Sequence, residues 1–253
     1  MKWSCLLMPI EGENSMSQEI ARAYRNNAIS AGVLFIIADL VAFAGFPFLA
    51  PMNDTNYLVS VSTNGGLVAT GALLVFMGGA AAIGIAISLY PVLRKYNEGL
   101  ALGAVGFRIV EGLFYFVGVT CLLLLITLSQ QFVNAGAPVA SYFQTLGVLV
   151  VSGYRWAINV VALLAFSIGC FLYYIIFYRT KLVPRWLSGW GVVASTLTIL
   201  SALLAMFGLI DRFSTELVVL NLPILPQELV LGVWLIVKGF NPSVITSESS
   251  HVG

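Results

Sequence analysis

Five ionisable residues stand in otherwise apolar stretches of this chain, and they are where it has the means to do chemistry: Asp39, Arg108, Glu111, Arg155 and Glu228. Arg108 and Glu111 are three residues apart and share one face of a helix. Placing such groups at membrane depth costs roughly 2.5–3.5 kcal/mol each even on a lenient insertion scale, so they are expected to face the protein interior and to have partners there. In that setting a guanidinium can grip an anionic or polar ligand group, while carboxylates tune it or carry protons. Tyr115, one turn beyond Glu111, Asn159, one turn beyond Arg155, and Gln227, beside Glu228, are the uncharged side chains that would complete a binding site. Lone polar residues of this kind more often hydrogen-bond a neighbouring membrane helix.

Depth sorts the five. Counting 1.5 Å per residue from the ends read as cytoplasmic puts Asp39, Arg108 and Glu111 at similar inner-to-middle levels, and Arg155 with Glu228 in the outer third. The expectation is therefore one cluster of Asp39, Arg108 and Glu111 and a separate pair of Arg155 with Glu228. Two bases against three acids nearly neutralise one another, so a second reading stands beside the ligand site: buried ion pairs that fix helix register and bind nothing.

The elements that must position these groups are long apolar runs. The chain has 253 residues, 59% hydrophobic and only 9% charged, against about 25% charged in an ordinary soluble domain. Six spans are expected, at about 28–50, 66–89, 100–127, 154–178, 187–210 and 218–240, in one all-α polytopic membrane domain over 17–240. The segment Gly99 to Thr127 is central, because it carries Arg108 and Glu111 inside a stretch long enough to cross. Small residues Ala80, Gly84 and Ser88 stand four apart in the second span and predict a flat face for close helix contact, and Gly99 and Gly103 form a similar pair. Pro223 and Pro226 interrupt the sixth span, so its regular helix is expected to start near Pro226 and to aim its amino end, with Gln227 and Glu228, into the protein. Between Ser129 and Gly153 the apolar stretch Leu146 to Val151 is too short to cross alone; an outer interfacial helix and the start of a long fourth span both fit.

Nine of the twelve basic residues (Lys2, Arg22, Arg25, Arg94, Lys95, Arg179, Lys181, Arg185 and Lys238) fall on one side of this arrangement, and Arg212 falls in an opposite loop. That asymmetry predicts both termini in the cytoplasm and the cytoplasmic (inner) cell membrane as the location. Ser17 to Asn27 reads as a short interfacial helix leading into the first span. Residues 1–16 read as a dispensable extension without a signal peptide, with Met16 an alternative start, and 241–253 as a disordered tail.

Several chemistries lack their residues. The net charge of +1 and the absence of a basic run give no case for nucleic acid. Cys5, Cys121 and Cys170 are far apart and read as packing residues, and His251, the only histidine, lies in the tail, so neither a metal nor another cofactor is expected. Asp39 is the only aspartate in a span, one short of an aspartyl intramembrane protease. No mid-span lysine offers itself to retinal.

The segments Leu89-Tyr90-Pro91-Val92-Leu93-Arg94, Glu98-Gly99-Leu100-Ala101-Leu102-Gly103, Gly106-Phe107-Arg108 with Glu111, Leu182-Val183-Pro184-Arg185-Trp186-Leu187, and Pro226-Gln227-Glu228 running on to Trp234-Leu235-Ile236-Val237-Lys238-Gly239-Phe240 belong together. In combination they resemble a bacterial family of multi-pass membrane proteins catalogued as domain of unknown function 4386, over about Ala21 to Phe240. The resemblance implies a membrane domain and carries no assigned activity, cofactor or catalytic residue.

Three functions remain open. One is a protein that binds or translocates a small polar or anionic amphiphile at Arg108 and Glu111, supported by Asp39, Arg155 and Glu228. Another is a non-catalytic accessory subunit, with a membrane-protein partner or further copies of itself. The last is an intramembrane enzyme using Glu111 or Glu228 as acid or base, for which no nucleophile, metal or cofactor motif is at hand. Lipid is the partner common to all three.

Overall fold

The computed structural model describes residues 11–138, 142–210 and 215–244. The extension before Glu11, Arg212 and the tail from Ile245 onward, with His251, lie outside the described residues. The architecture is all-α: α1 (Glu11–Phe48), α2 (Tyr57–Thr63), α3 (Gly65–Leu93), α4 (Glu98–Asn134), α5 (Tyr142–Trp156), α6 (Leu163–Thr180), α7 (Arg185–Met206), α8 (Thr215–Asn221) and α9 (Ile224–Val237), with no strand among the described residues. A π-helical segment, Ala157–Ala162, joins α5 to α6 without a break. Six helical stretches are long and apolar enough to cross a membrane: Arg22–Phe48, Gly65–Leu93, Glu98–Asn134, Tyr142–Thr180, Arg185–Met206 and Thr215–Val237. Large apolar side chains such as Leu40, Phe46, Ile87 and Leu102 point outward along them, a surface that water would not tolerate and lipid requires.

Where the helices touch, glycine sets the distance. A Cβ built on Gly32 of α1 would lie 2.6 Å from the carbonyl oxygen of Gly232 in α9, and one on Gly112 of α4 would lie 3.0 Å from that of Gly79 in α3. These are backbone-to-backbone crossings that only residues without a side chain permit. The expected flat face is shifted accordingly: Gly84 meets Leu34 of α1, but Ala80 is exposed and its neighbour Gly79 makes the close contact. The difference is angular, since one residue is about 100° of helix turn. Gly103 packs on Leu172 of α6, whereas beyond its chain neighbours Gly99 meets only the side chain of the capping residue Asn97.

Three further features refine the sequence reading. The interfacial helix and the first span are one continuous helix, because nothing between Ser17 and Ala28 breaks it. The stretch around Leu146 to Val151 is the start of a long helix, since α5 runs straight on through the π segment into α6. With α4 at 37 residues, about 55 Å long, both outlast a bilayer core of about 30 Å. They extend away from the basic end and carry their own apolar cluster, built from Val61, Val68, Leu122, Leu125, Phe132 and Phe143. The sixth span breaks as expected, but at Leu222 and Pro223, so that α9 starts at Ile224. At its far end Arg25 donates to the carbonyl oxygens of Leu235, at 3.1 Å, and Ile236. This caps the last turn of α9 and ties it to α1.

Candidate functional site

Arg108 is among the largest fully buried side chains of the molecule, at 2% exposure. It is admitted because α6 offers it a channel: a Cβ on Gly169 would stand 3.1 and 3.2 Å from Cγ and Cδ of Arg108, so the bare backbone there takes the aliphatic stem. The guanidinium then meets Glu111, one turn on along α4, with Nη1 3.0 Å from Oε2. The ring of Phe166 also lies 5.2 Å from Cζ, a cation–π contact inside the bundle.

From Nη1 a polar chain crosses the bundle. The guanidinium donates to Cys170 Sγ at 3.8 Å, Cys170 donates to Glu228 Oε1 at 3.9 Å, and the Tyr173 hydroxyl donates to both, at 3.1 Å and 3.5 Å. Asp39, on α1, is buried and within electrostatic range of Arg108 and Glu228. The phenol of Tyr115 is directed into the same field of Glu111, Arg108 and Glu228, while its Cβ packs where Gly79 leaves room. Gln227 is buried one position away and faces differently: it accepts a short hydrogen bond from Tyr174 and donates to the carbonyl oxygen of Leu187 at 3.3 Å, holding α9 to α6 and α7.

The expected cluster of Asp39, Arg108 and Glu111 is thus present, and Glu228 belongs to it. The separate pair of Arg155 with Glu228 does not form. Level explains the correction. Glu228 lies nine residues from the basic end of α9, about 14 Å, as Arg108 lies about 15 Å from the start of α4. Arg155 is 25 residues from the end of α6, about 37 Å, and hydrogen-bonds Asn53 Oδ1 at 3.3 Å in the 3-10 turn Ala50–Asn53. Asn159 stays with Arg155, half-buried in the π segment. Of the eight candidates, the structure brings together Asp39, Arg108, Glu111, Tyr115 and Glu228, sets Gln227 beside them as a brace, and leaves Arg155 and Asn159 at another level.

Cys170 and Tyr173 are site residues that the sequence reading did not single out. Their signal was available: spaced three apart on the helix facing α4, they are polar-tipped side chains at the depth of Arg108. With Arg155 elsewhere, the cluster holds one base against three acids. Three polar atoms in it are buried without a hydrogen-bond partner among the described residues, Asp39 Oδ2, Arg108 Nε and Glu111 Oε2, the last of which faces Arg108 Nη1 across the ion pair. No three His, Cys, Asp or Glu side chains among the described residues are grouped as metal ligands would be.

Membrane-length helices closed around a buried charge cluster define a polytopic all-α membrane protein. Within that class the chain belongs to the family described as Domain of unknown function (DUF4386), whose model matches residues 30–239. All the members of the cluster fall inside the matched range. Searches of curated proteins and of solved structures match nothing.

Proposed function

We propose that the cluster of Asp39, Arg108, Glu111 and Glu228 is a solute site, and that the protein binds or translocates a small polar amphiphile there. The observation that carries this reading is the imbalance at the centre of the bundle: one guanidinium, three carboxylates, and polar atoms of Asp39, Arg108 and Glu111 buried without a hydrogen-bond partner among the described residues. Ion pairs retained only to fix helix register are stable when each charge and lone pair is satisfied. Here the cluster holds both an acceptor, on Asp39, and a donor, on Arg108, without a hydrogen bond, which suits a guest that offers both. The excess of acid weighs against the anionic alternative, because an anion would enter beside three carboxylates. It favours a polar group that donates hydrogen bonds, or a cationic one, with the apolar part of the guest against Phe166 and Phe35.

Native mass spectrometry of the protein gently extracted from its own membrane tests this. A stoichiometric small molecule is expected on the parent protein and lost in both Glu228→Gln and Arg108→Lys, which keep side-chain size while changing charge and donor geometry. A parent protein that carries no such adduct, or variants that retain it, would leave the cluster as structural ion pairs.

A further inference from the structure

A cavity lies at the basic end of the bundle, where the chain passes from α6 to α7 and leaves α9. Lys181 ends α6 in the left-handed conformation, at φ 63°, its N–H bonded to the carbonyl of Phe177 at 2.9 Å. Leu182 and Val183 then plug the core, and Pro184 caps α7. The exit of α9 is fastened onto this turn: the Asn241 N–H donates to the Leu182 carbonyl at 2.9 Å and its side chain to that of Lys181 at 3.4 Å. Between the two strands of chain is a cup of about 570 Å³, lined by Lys181, Arg185, Lys238, Leu182, Trp234 and Phe240 among others.

The lining has a clear chemistry. Three cations stand over an apolar floor, and none of them is in an ion pair among the described residues. No carboxylate among the described residues lines the cup. Arg185 is steadied by the ring of Tyr178, whose centroid is 5.6 Å from its Cζ. Trp186 and Trp234 meet edge to face at 6.4 Å beside the rim, and indoles favour the level where hydrocarbon gives way to headgroups. Below the rim the outward faces of α7 and α9 continue as apolar surface through Val193, Val233 and Val237.

We infer that this cup holds the headgroup of one anionic phospholipid. A phosphodiester is the group that a guanidinium and two ammonium ions bind together, its acyl chains have an apolar track to follow, and basic pockets between membrane helices are suited to anionic headgroups. The cup's size is also in the range of sites that enclose a small-molecule group. The site is independent of the Arg108 cluster, which lies about 15 Å deeper.

The full chain is purified with its lipid, stripped stepwise and examined by native mass spectrometry against titrated phosphatidylglycerol, phosphatidylcholine and inorganic phosphate. One phosphatidylglycerol is expected to persist, bound at least about tenfold more tightly than phosphatidylcholine. The preference is expected to vanish in the triple variant Lys181→Gln, Arg185→Gln, Lys238→Gln and to survive in Arg108→Lys. Thermal unfolding in phosphatidylcholine alone, unchanged by the triple substitution, would show that the variant is folded. Equal retention of the two lipids, a preference that persists in the triple variant, or displacement of the lipid by millimolar phosphate would each overturn the assignment.

Discussion

Gly169 shows how closely Arg108 is fitted, since a Cβ there would press on both methylenes of the stem that carry the guanidinium to the cluster. Gly169→Val is expected to cost about 1–3 kcal/mol, the usual range for overpacking. Gly106→Ala, on α4 two residues from Arg108 and facing open space, is expected to be neutral or to stabilise by up to about 1 kcal/mol, because alanine is the better helix former. Thermal unfolding of the two variants in the same detergent checks the contrast; equal effects would mean that the channel at Gly169 does not hold Arg108. At this scale the pairing of Arg108 with Glu111 was legible because it is local, fixed by helix geometry alone. The place of Glu228 was not. A count of residues gives level only once the ends of the helix are known, and although a break near Pro226 was expected, Glu228 was counted into the outer third of a span drawn over 218–240 while the helix that carries it runs from Ile224 to Val237. Cys170 and Tyr173 escaped because their types are ordinary in apolar helices, and only the approach of α4 to α6 gives them charged neighbours.

Helices α1 and α9 bring Asp39 and Glu228 to the same centre through the crossing of Gly32 on Gly232. An alanine methyl at position 32 would oppose a backbone oxygen, which has no rotamer to escape into, so the two helices must part. Gly32→Ala is expected to lower stability by about 1–3 kcal/mol, whereas Ala80→Leu, on the lipid-facing side of α3, is expected to stay within about 0.5 kcal/mol. Urea or thermal denaturation in mixed micelles measures both, and a costly Ala80→Leu would restore the face first inferred from Ala80, Gly84 and Ser88. The helices themselves were legible as apolar runs. Their contact faces were less so, because small residues are frequent throughout α3 and spacing alone does not say which stripe meets a neighbour. The length of the helix from Tyr142 to Thr180 stayed open between two readings for a different reason. Its first half is only partly apolar, and it is sustained by packing on α2 and α4 through Phe143 and Val151 rather than by lipid.

At the scale of the whole molecule the basic residues define an axis. Arg22 and Arg25 on α1, Arg94 and Lys95 after α3, Arg179 and Lys181 at the end of α6, Arg185 at the start of α7 and Lys238 after α9 all lie at one end of the bundle. An even number of crossings returns the chain to the side from which it started, and the positive-inside rule makes the basic side the expected cytoplasmic one. With Cys5 replaced by Ser, Asn64→Cys, on the turn between α2 and α3, is expected to react with a membrane-impermeant maleimide in intact cells. Ser243→Cys is expected to react only after the membrane is opened. The reverse pattern, or labelling of both from outside, would overturn the orientation. It would also move the cup of Lys181, Arg185 and Lys238 to the other leaflet while leaving its chemistry intact, so topology and lipid selectivity test different properties of the same end of the protein. The long α4 and α5–α6 helices extend toward the end opposite the basic one, where they carry the apolar cluster that includes Leu122, Leu125, Phe132 and Phe143, and the contact of Arg155 with Asn53 belongs to that end rather than to the charged centre.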